Sequence, residues 1–561
     1  MNQQNFWLTT AQMPADSNTI TPFPEKVDVA IIGAGYTGLS AAYTLAKRNV
    51  NVAALEAESI GWGASSRNGG MALTGLKLPM QTVLERYGRD LARQLFQCSL
   101  DAVDTVEQIV KEEKIDCGFS RSGHLLVANK PGHYAALERE VEFMAREFDH
   151  NVRLVPPREL KDEIGSVAYH GGLVDEVSGG LNPAQYVAGL ARAAEKAGAR
   201  LHARARVNRL RRGEKRFIVE TNRGSLSAES VLVATAGYTS SVTRKLQRKI
   251  VPIGSYIVAT ERLSDKLARS LSPKNRMIFD YKHYLNYFRL WDNRLIFGGR
   301  AAFFPETENT IARSAEILRR EMIQVYPQLR DVKVEYVWGG TLDFAFDMMT
   351  HVGEEDGIYY SLGYAGHGVA LGTYLGKTVA EAMIRGNIRE HPFAQIKFPG
   401  APLGLYNGFP WFLPGWSKPE TIHELQPRMH EWARLHFTPG RGTIFDLYPL
   451  LISAAIDGVP ALPRCSRAAA RQTAMTPDTR ITQRIDCAFH RIGDPPGYPA
   501  GAVIPPQAIP PRRTLSHLRH VINHHFPGVA YRRSAYPSTP APRTATDPII
   551  PAYCDTPISY G

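Results

Sequence analysis

The sequence predicts an α/β protein: a helix-covered parallel sheet, an antiparallel sheet inserted into it, and a C-terminal tail without a fold of its own. Three observations carry this. Residues 27–56 read strand, G-x-G-x-x-G turn, helix and second strand in close succession. Residues 251–300 instead alternate apolar and polar side chains and are rich in aromatics. After Lys418 there is no lysine and after Glu431 no glutamate, while arginine and proline take over.

The first stretch begins with an apolar, β-branched run at 27–32, the pattern of a strand buried on both faces. Gly33, Gly35 and Gly38 follow. The first permits a tight turn, the second a close approach of the backbone to a pyrophosphate, and the third close packing of helix on sheet. Residues 37–47 predict a helix whose N-terminus offers free N–H groups and a positive dipole end. A second strand at 50–55 ends in Glu56, whose carboxylate suits ribose hydroxyls and repels a 2′-phosphate. Glycines alone would mean only a tight turn; all four parts in register predict a dinucleotide site, without saying which dinucleotide.

At 561 residues the chain has room for two or three domains. Its net charge of +12 divides into 51 basic against 44 acidic residues over 1–419 and 15 against 10 thereafter. Neither part concentrates charge as a nucleic-acid surface does, so no nucleic-acid partner is expected. Cys98, Cys117, Cys465, Cys487 and Cys554 are sparse and irregular, which argues against a disulfide framework. Residues 1–14 lack a basic n-region and an apolar h-region, and the most apolar early stretch, 27–46, is broken by the three glycines. The expectation is a cytoplasmic protein without a membrane span.

Residues 1–26, polar and proline-punctuated, predict an arm lying on the surface. The stretch 59–72, SIGWGASSRNGGMA, is dense in glycine, serine and asparagine and so in backbone N–H groups suited to phosphate or a ring edge. Residues 80–114 predict a helix pair, 123–128 a strand, 134–148 a helix, and 182–197 a helix with Pro183 in its first turn. VLVATAGY at 231–238 predicts another strand of the parallel sheet. The alternating segments within 251–300 then predict an antiparallel roof over a substrate pocket, crossed by a helix at 311–326 and rejoined by a strand at 332–342.

A second glycine-rich strand–turn–helix follows: strand 359–362, a turn through Gly363, Gly366 and Gly368, and a helix at 369–384. An NAD site has no evident use for a second helix N-terminus. A flavin does, because those amides stabilise negative charge near the N1/O2 edge of the reduced ring.

With GAGYTG at 33–38, EAESIGWGASSRNGG at 56–70, ATAGY at 234–238, GYAGHG at 363–368 and YNGFPWFLP at 406–414, the chain resembles the D-amino acid oxidase, glycine oxidase and sarcosine oxidase superfamily of FAD enzymes. Within it the chain is similar to the bacterial γ-glutamylputrescine oxidoreductase-like branch. The resemblance spans about residues 6–414. It implies a Rossmann-like FAD-binding domain with an inserted antiparallel-sheet substrate domain. Residues 1–26 would be the arm and 27–414 the oxidoreductase, with FAD-binding parts about 27–80, 172–245 and 335–400 and substrate-domain parts about 81–171 and 246–334; 415–561 is the tail. Gly33, Ala34, Gly35, Tyr36, Thr37 and Gly38 would serve the pyrophosphate, and Glu56 and Ala57 the adenosine ribose. Gly63, Ala64, Ser65, Ser66, Arg67, Asn68, Gly69 and Gly70 would pass the flavin and ribityl chain, with Val207 on the adenine side. Ala236 and Gly237 belong to the ATAGY turn, while Gly363, Gly366, His367, Gly368 and Val369 would cap the pyrimidine edge.

Two departures stand out. Where some sarcosine oxidases carry a flavin-linking cysteine, this chain has Gly339 and Gly340, and no histidine lies between Ser59 and Gly70, so non-covalent FAD is expected. The family's threonine-proline-aspartate setting is replaced by Ala345, Phe346 and Asp347.

The reaction implied is oxidation of a carbon–nitrogen bond of a small-molecule amine or amino acid, by hydride transfer to flavin N5, with oxygen or another acceptor taking the electrons. The best-matched substrate is γ-glutamylputrescine or a related amine; a D-amino acid or sarcosine/glycine-type oxidoreductase, and a non-catalytic flavin-binding scaffold, are the alternatives. Such chemistry asks the protein mainly to orient a neutral amine. Substrate-pocket candidates are Tyr256, Tyr284, Tyr287 and Arg289 on the roof strands, then Arg300, Phe344, His351 and His367. Aromatic rings suit an amine and arginine a carboxylate, although aromatic alternation in a half-buried sheet is ordinarily core. Arg289, in an apolar-aromatic strand, needs a partner for its charge. No metal-ligand set emerges: Cys487-x-x-His490 lacks the second half of an iron–sulfur pattern, and His524 and His525 lack metal spacing. The tail reads as disordered, or as a frame-shifted or fused C-terminus.

Overall fold

The computed structural model describes residues 1–14, 23–282, 285–302 and 308–400, with the side chains at 300–302 and 308 excepted. The expectations for Tyr284, for YNGFPWFLP at 406–414 and for the tail lie outside the described residues, as does the side chain of Arg300.

Strand Lys26–Ile32 buries most of its side chains between two parallel neighbours, as its unbroken apolar run requires. Its sheet runs His351–Glu355, Ile358–Leu362, Gly224–Val233, Lys26–Ile32, Val52–Leu55, Arg200–His202, all parallel except the first, which is antiparallel to its neighbour. Strand Gly224–Val233 starts earlier than its apolar end suggests because its first half pairs antiparallel with Phe217–Thr221, which pairs in turn with Val207–Arg212. Helices Tyr36–Ala46, Pro183–Lys196 and Ala370–Arg385 cover the sheet in one apolar cluster with the helix pair Met80–Tyr87 and Arg89–Glu112. Asn182 caps the second of these by accepting from the Ala184 and Gln185 amides.

The second sheet runs Val334–Ala345, Ile250–Thr260, Arg294–Ala302, Tyr287–Trp291, Met277–Asp280, His124–Val127, Gly172–Asp175, Arg153–Val155. It is antiparallel as expected except where Met277–Asp280 meets His124–Val127 in parallel register. That pair joins segments far apart in the chain, and so has the long connection a parallel pair needs. Helix Glu308–Val325 packs on one face, with Ala315, Leu318 and Met322 against Phe288, Phe297 and Val258. Gly172–Asp175 and the whole of Val334–Ala345 pair within this sheet.

The arm differs from its expectation. Phe6 is 4% exposed and Trp7 fully buried, in a cluster with Ile257, Ile296 and Trp338. Two adjacent aromatic rings outweigh the polar residues around them and draw the segment inward. Among the described residues no helix is long and apolar enough to cross a membrane.

Candidate active site

The first glycine turn is shaped by backbone contact. Gly33 has φ 103°, and a β-carbon there would lie 2.5 Å from the Ala234 carbonyl oxygen. At Gly38 it would lie 1.9 Å from the Gly33 carbonyl oxygen, so turn, strand end and helix touch without side chains between them. Helix Tyr36–Ala46 has no side-chain cap from Gly35; instead the Ser65 hydroxyl accepts from the Tyr36 amide at 3.0 Å. The remaining first-turn amides suit an anion. Glu56 accepts from the Ala34 amide at 2.9 Å and the Glu58 amide at 3.1 Å. Burial pushes its carboxyl up while these amides oppose the shift, and each oxygen keeps a lone pair for a hydroxyl. Segment 204–207 lies alongside, with the Ala205 amide donating to the Glu56 carbonyl at 2.7 Å, which places Val207 at this end of the site.

The run 63–70 bridges the two sheets. Asn68 organises it, donating to the Ala64 and Ser65 carbonyls and the Tyr36 hydroxyl and accepting from the Gly70 amide. From outside, Asn5 Nδ2 donates to the Ser66 carbonyl at 2.7 Å, Trp338 Nε1 to the Arg67 carbonyl at 2.9 Å and Trp7 Nε1 to the Asn68 carbonyl at 2.9 Å. Arg67 itself reaches the Gly339 carbonyl at 3.2 Å. The Ser66 hydroxyl is buried with no hydrogen-bond partner among the described residues, as expected of a group that waits for a ligand.

The second glycine turn hangs from Asp343. Its Oδ2 accepts from the Gly363 amide at 2.6 Å and its carbonyl from the Ala365 amide at 2.9 Å. Burial pushes this carboxyl up to about 7 against the amides that hold it. Gly363, Ala365 and Gly366 all have positive φ. The Tyr364 hydroxyl meets Thr37 Oγ1 at 2.7 Å and Ser361 Oγ at 2.7 Å, tying the start of the first helix to the strand before the second. Neither Asp343 nor Tyr364 was singled out from sequence; a lone acid in the apolar run TLDFAF was the available signal.

Sheet faces sort the substrate-pocket candidates. Tyr287 and Arg289 share a face with the 63–70 run: the Tyr287 ring lies 3.1 Å from where a β-carbon on Gly69 would stand, and its hydroxyl 3.2 Å from Ser255 Oγ. Tyr256 points to the opposite face, 1% exposed, in an apolar cluster with Phe288, Phe297 and Leu318. The partner of Arg289 is not an acid: its Nη1 donates to the Gly70 carbonyl at 2.7 Å and the Leu181 carbonyl at 3.0 Å, and burial pushes it down to about 10. His351, fully buried, pairs with Asp347 at 3.0 Å and stacks on Phe398, which gives it a structural task. Phe344 lies on the apolar side, with the Lys77 ammonium 5.9 Å from its ring centre; burial pushes Lys77 down to about 7. Of the turn residues, Ala236 takes φ 44°, a β-carbon on Gly237 would meet the Leu342 carbonyl oxygen at 2.7 Å, and His367 and Val369 are buried at the start of the last helix.

Comparison with known proteins agrees with this arrangement. The model of the family described as DAO, FAD dependent oxidoreductase, matches residues 28–382. A probable oxidoreductase OrdL of Haemophilus influenzae is 34% identical over 381 residues, 67% of this chain and 87% of that protein. Gamma-glutamylputrescine oxidoreductase of Escherichia coli is 33% identical over 404 residues, 70% of this chain and 93% of that protein. Glycine oxidase from Geobacillus kaustophilus shares the fold, with TM-score 0.58 and 21% identity over 67% of this chain and all of that one. Two glycine turns at helix starts, a buried acid beside the first of them and a hydrogen-bonded run of backbone at 63–70 suit an extended FAD, and with the family match they lead to one conclusion: the chain belongs to the FAD dependent oxidoreductases of the DAO family.

Proposed function

We propose that the chain oxidises the carbon–nitrogen bond of an amine, with γ-glutamylputrescine or a closely related amine as its substrate. The observation that carries this reading is the position of the 63–70 run, joined to the first helix through Ser65 and Tyr36 and to the second sheet through Trp338, Arg67 and Gly339. A flavin lying along it has dinucleotide-binding backbone at one end and the aromatic sheet at the other. The substrate class is supported by the 33% identity to the Escherichia coli enzyme over 93% of its length.

When bound, FAD supplies a hydride acceptor for the carbon that bears the amine, leaving an imine for water to hydrolyse. The chain's own residues bind and orient. Gly33, Gly35 and the first-turn amides hold the pyrophosphate, Glu56 the ribose, and the Ser66 hydroxyl gains the partner it lacks. The turn carried by Asp343 presents its amides to the pyrimidine edge. FAD is held without a covalent bond, since glycines occupy 339 and 340. Cys98 and Cys117 are buried and unpaired, consistent with a cytoplasmic setting as part of the same proposal.

Anaerobic addition of amines to the flavin-loaded protein is the test. γ-Glutamylputrescine should bleach the oxidised-flavin band, at roughly 450 nm. Bleaching by D-amino acids or sarcosine alone would move the assignment to that branch of substrates, and no bleaching by any amine would end the enzymatic reading. Peroxide release in air then separates oxygen from another electron acceptor.

A further inference from the structure

The segment that follows Gly70 enters a polar network that the flavin-binding residues do not use. Thr74 Oγ1 donates to Asp175 Oδ2 at 2.6 Å, and His150 Nε2 meets the same oxygen at 2.8 Å. Asp175 Oδ1 accepts from the Val177 amide at 2.8 Å. Ser178 Oγ accepts from the Thr74 amide at 3.1 Å, meets Thr74 Oγ1 at 3.3 Å and lies 2.8 Å from His124 Nδ1. Five side chains thus form one chain: His124, Ser178, Thr74, Asp175, His150. All five are less than 9% exposed.

This network floors a cavity of about 40 Å³. Asp175, His124, His150 and Glu140 supply its polar lining, with Phe96 and Met144 among its apolar walls; among the described residues no lysine or arginine lines it. The far nitrogens of the two rings, His124 Nε2 and His150 Nδ1, have no hydrogen-bond partner among the described residues, although the rings are only 2% and 7% exposed. Polar rings that line a small cavity mark a site that takes a ligand or water.

The carboxylate orders the protons. An ionised Asp175 accepts only, so His150 holds a proton on Nε2, and the neutral tautomer with that proton keeps a lone pair on Nδ1. Thr74 spends its proton on Asp175, Ser178 can then spend its own on Thr74, and His124 Nδ1–H donates to Ser178. That wiring leaves His124 Nε2 a lone pair as well. Burial holds His124 below its ordinary value, in the neutral form this wiring needs. Ring lone pairs, the Asp175 carboxylate and apolar walls describe a receptor for a donor-only cation on an alkyl stem.

We infer that this cavity takes the ammonium group of an aliphatic amine substrate, and that the ammonium held there is not the one that reacts. Hydride loss requires a neutral amine, while a carboxylate-floored pocket favours the charged form. The nitrogen seated here is therefore a second one, and the preferred substrates carry two basic nitrogens. The room available, about three water-sized groups, fits a head group and not a whole substrate. This inference rests on the amine reading above and adds the substrate's second charge.

The test uses the flavin-loaded protein. KM is measured for 1,4-diaminobutane against pentylamine, which matches its length with a methyl in place of the second ammonium. The diamine should have a KM lower by about tenfold, the size of one hydrogen bond to a charged group, and Asp175→Asn should collapse that ratio toward one. Leu78→Phe, which fills the cavity from its apolar side without touching the network, should do the same and guards against misfolding of the aspartate variant. Independently of turnover, calorimetric titration with methylammonium chloride, matched against sodium chloride, should show saturable heat in the wild type and none in Leu78→Phe. Equal KM values for diamine and monoamine, or no methylammonium heat in the wild type, overturns the inference. If no amine bleaches the flavin, the amine reading fails separately while the methylammonium titration still reports on the cavity.

Discussion

Gly376 lies against Thr37 so closely that a β-carbon on it would stand 2.3 Å from the Thr37 carbonyl oxygen and 2.9 Å from the Ser40 side chain. One turn earlier, a β-carbon on Gly372 would stand 3.2 Å from the Thr37 hydroxyl, and Ser40 Oγ donates to the Thr373 carbonyl at 2.6 Å. The two helices that begin at the glycine turns are therefore in backbone contact. That contact fixes how far apart their N-termini stand, and so whether one cofactor spans both. Gly376→Val should force the helices apart, cost about 1–3 kcal/mol of stability, and weaken FAD binding more than it weakens the fold. Denaturant unfolding with and without FAD, together with a flavin titration, measures both; equal loss in the two forms would show that helix spacing does not matter to the cofactor.

Asp343 makes stability depend on pH with a definite sign. Its carboxyl is raised from 3.8 in the unfolded chain to about 7 in the fold. The folded state therefore binds more protons between those values, and the contribution is complete below pH 3.8 and lost as pH rises through 7. Asp343→Asn keeps an acceptor for the Gly363 amide and removes the titration. The FAD-free variant should lack that part of the fall in unfolding midpoint between about pH 4 and 7 that the wild type shows. Identical pH profiles would mean that the carboxyl is ionised throughout.

Much of this architecture was readable because its glycines are demanded by backbone proximity. Gly33 and Gly38 admit no side chain, so their spacing is a direct imprint of geometry. Strands Arg153–Val155 and Gly172–Asp175 were unreadable for the opposite reason: three or four residues are too few to show alternation. Alternation on the roof correctly separated two faces without saying which one met the cofactor, so Tyr256 and Tyr287 looked alike until the sheet was placed. The network around Asp175 was out of reach altogether. Its members Thr74, His124, His150 and Ser178 lie in four separate segments, and only the fold brings them into one hydrogen-bonded network.

The buried arm has a consequence for the cofactor. Asn5 and Trp7 donate to the Ser66 and Asn68 carbonyls, so the first residues hold the 63–70 run. Trp7→Ala should destabilise the protein by about 3–5 kcal/mol, the usual loss for a buried tryptophan. Trp7→Phe should restore most of the packing but not the bond to Asn68. If the arm positions the run, Trp7→Phe lowers FAD affinity at near-normal stability; unchanged affinity would confine Trp7 to packing.

Arg289 offers two roles that one pair of variants separates. As a clamp it satisfies the Gly70 and Leu181 carbonyls, both buried, and orients the end of the 63–70 run. As a substrate ligand it would hold a carboxylate. Arg289→Met matches much of its length, removes the guanidinium donor from the Leu181 carbonyl and leaves the Gly70 carbonyl only the Leu181 amide, at a cost of about 1–3 kcal/mol. Arg289→Lys keeps a charge but not the guanidinium fork, and so recovers only part of that loss. For the clamp, both variants lose thermal stability and FAD affinity, and the KM values for a carboxylate-bearing amine and for a simple alkyl amine rise together. A rise in KM confined to the carboxylate-bearing amine, with stability unchanged, would return Arg289 to the substrate pocket. The two carbonyl contacts at 2.7 and 3.0 Å, on a guanidinium only 4% exposed, favour the first outcome.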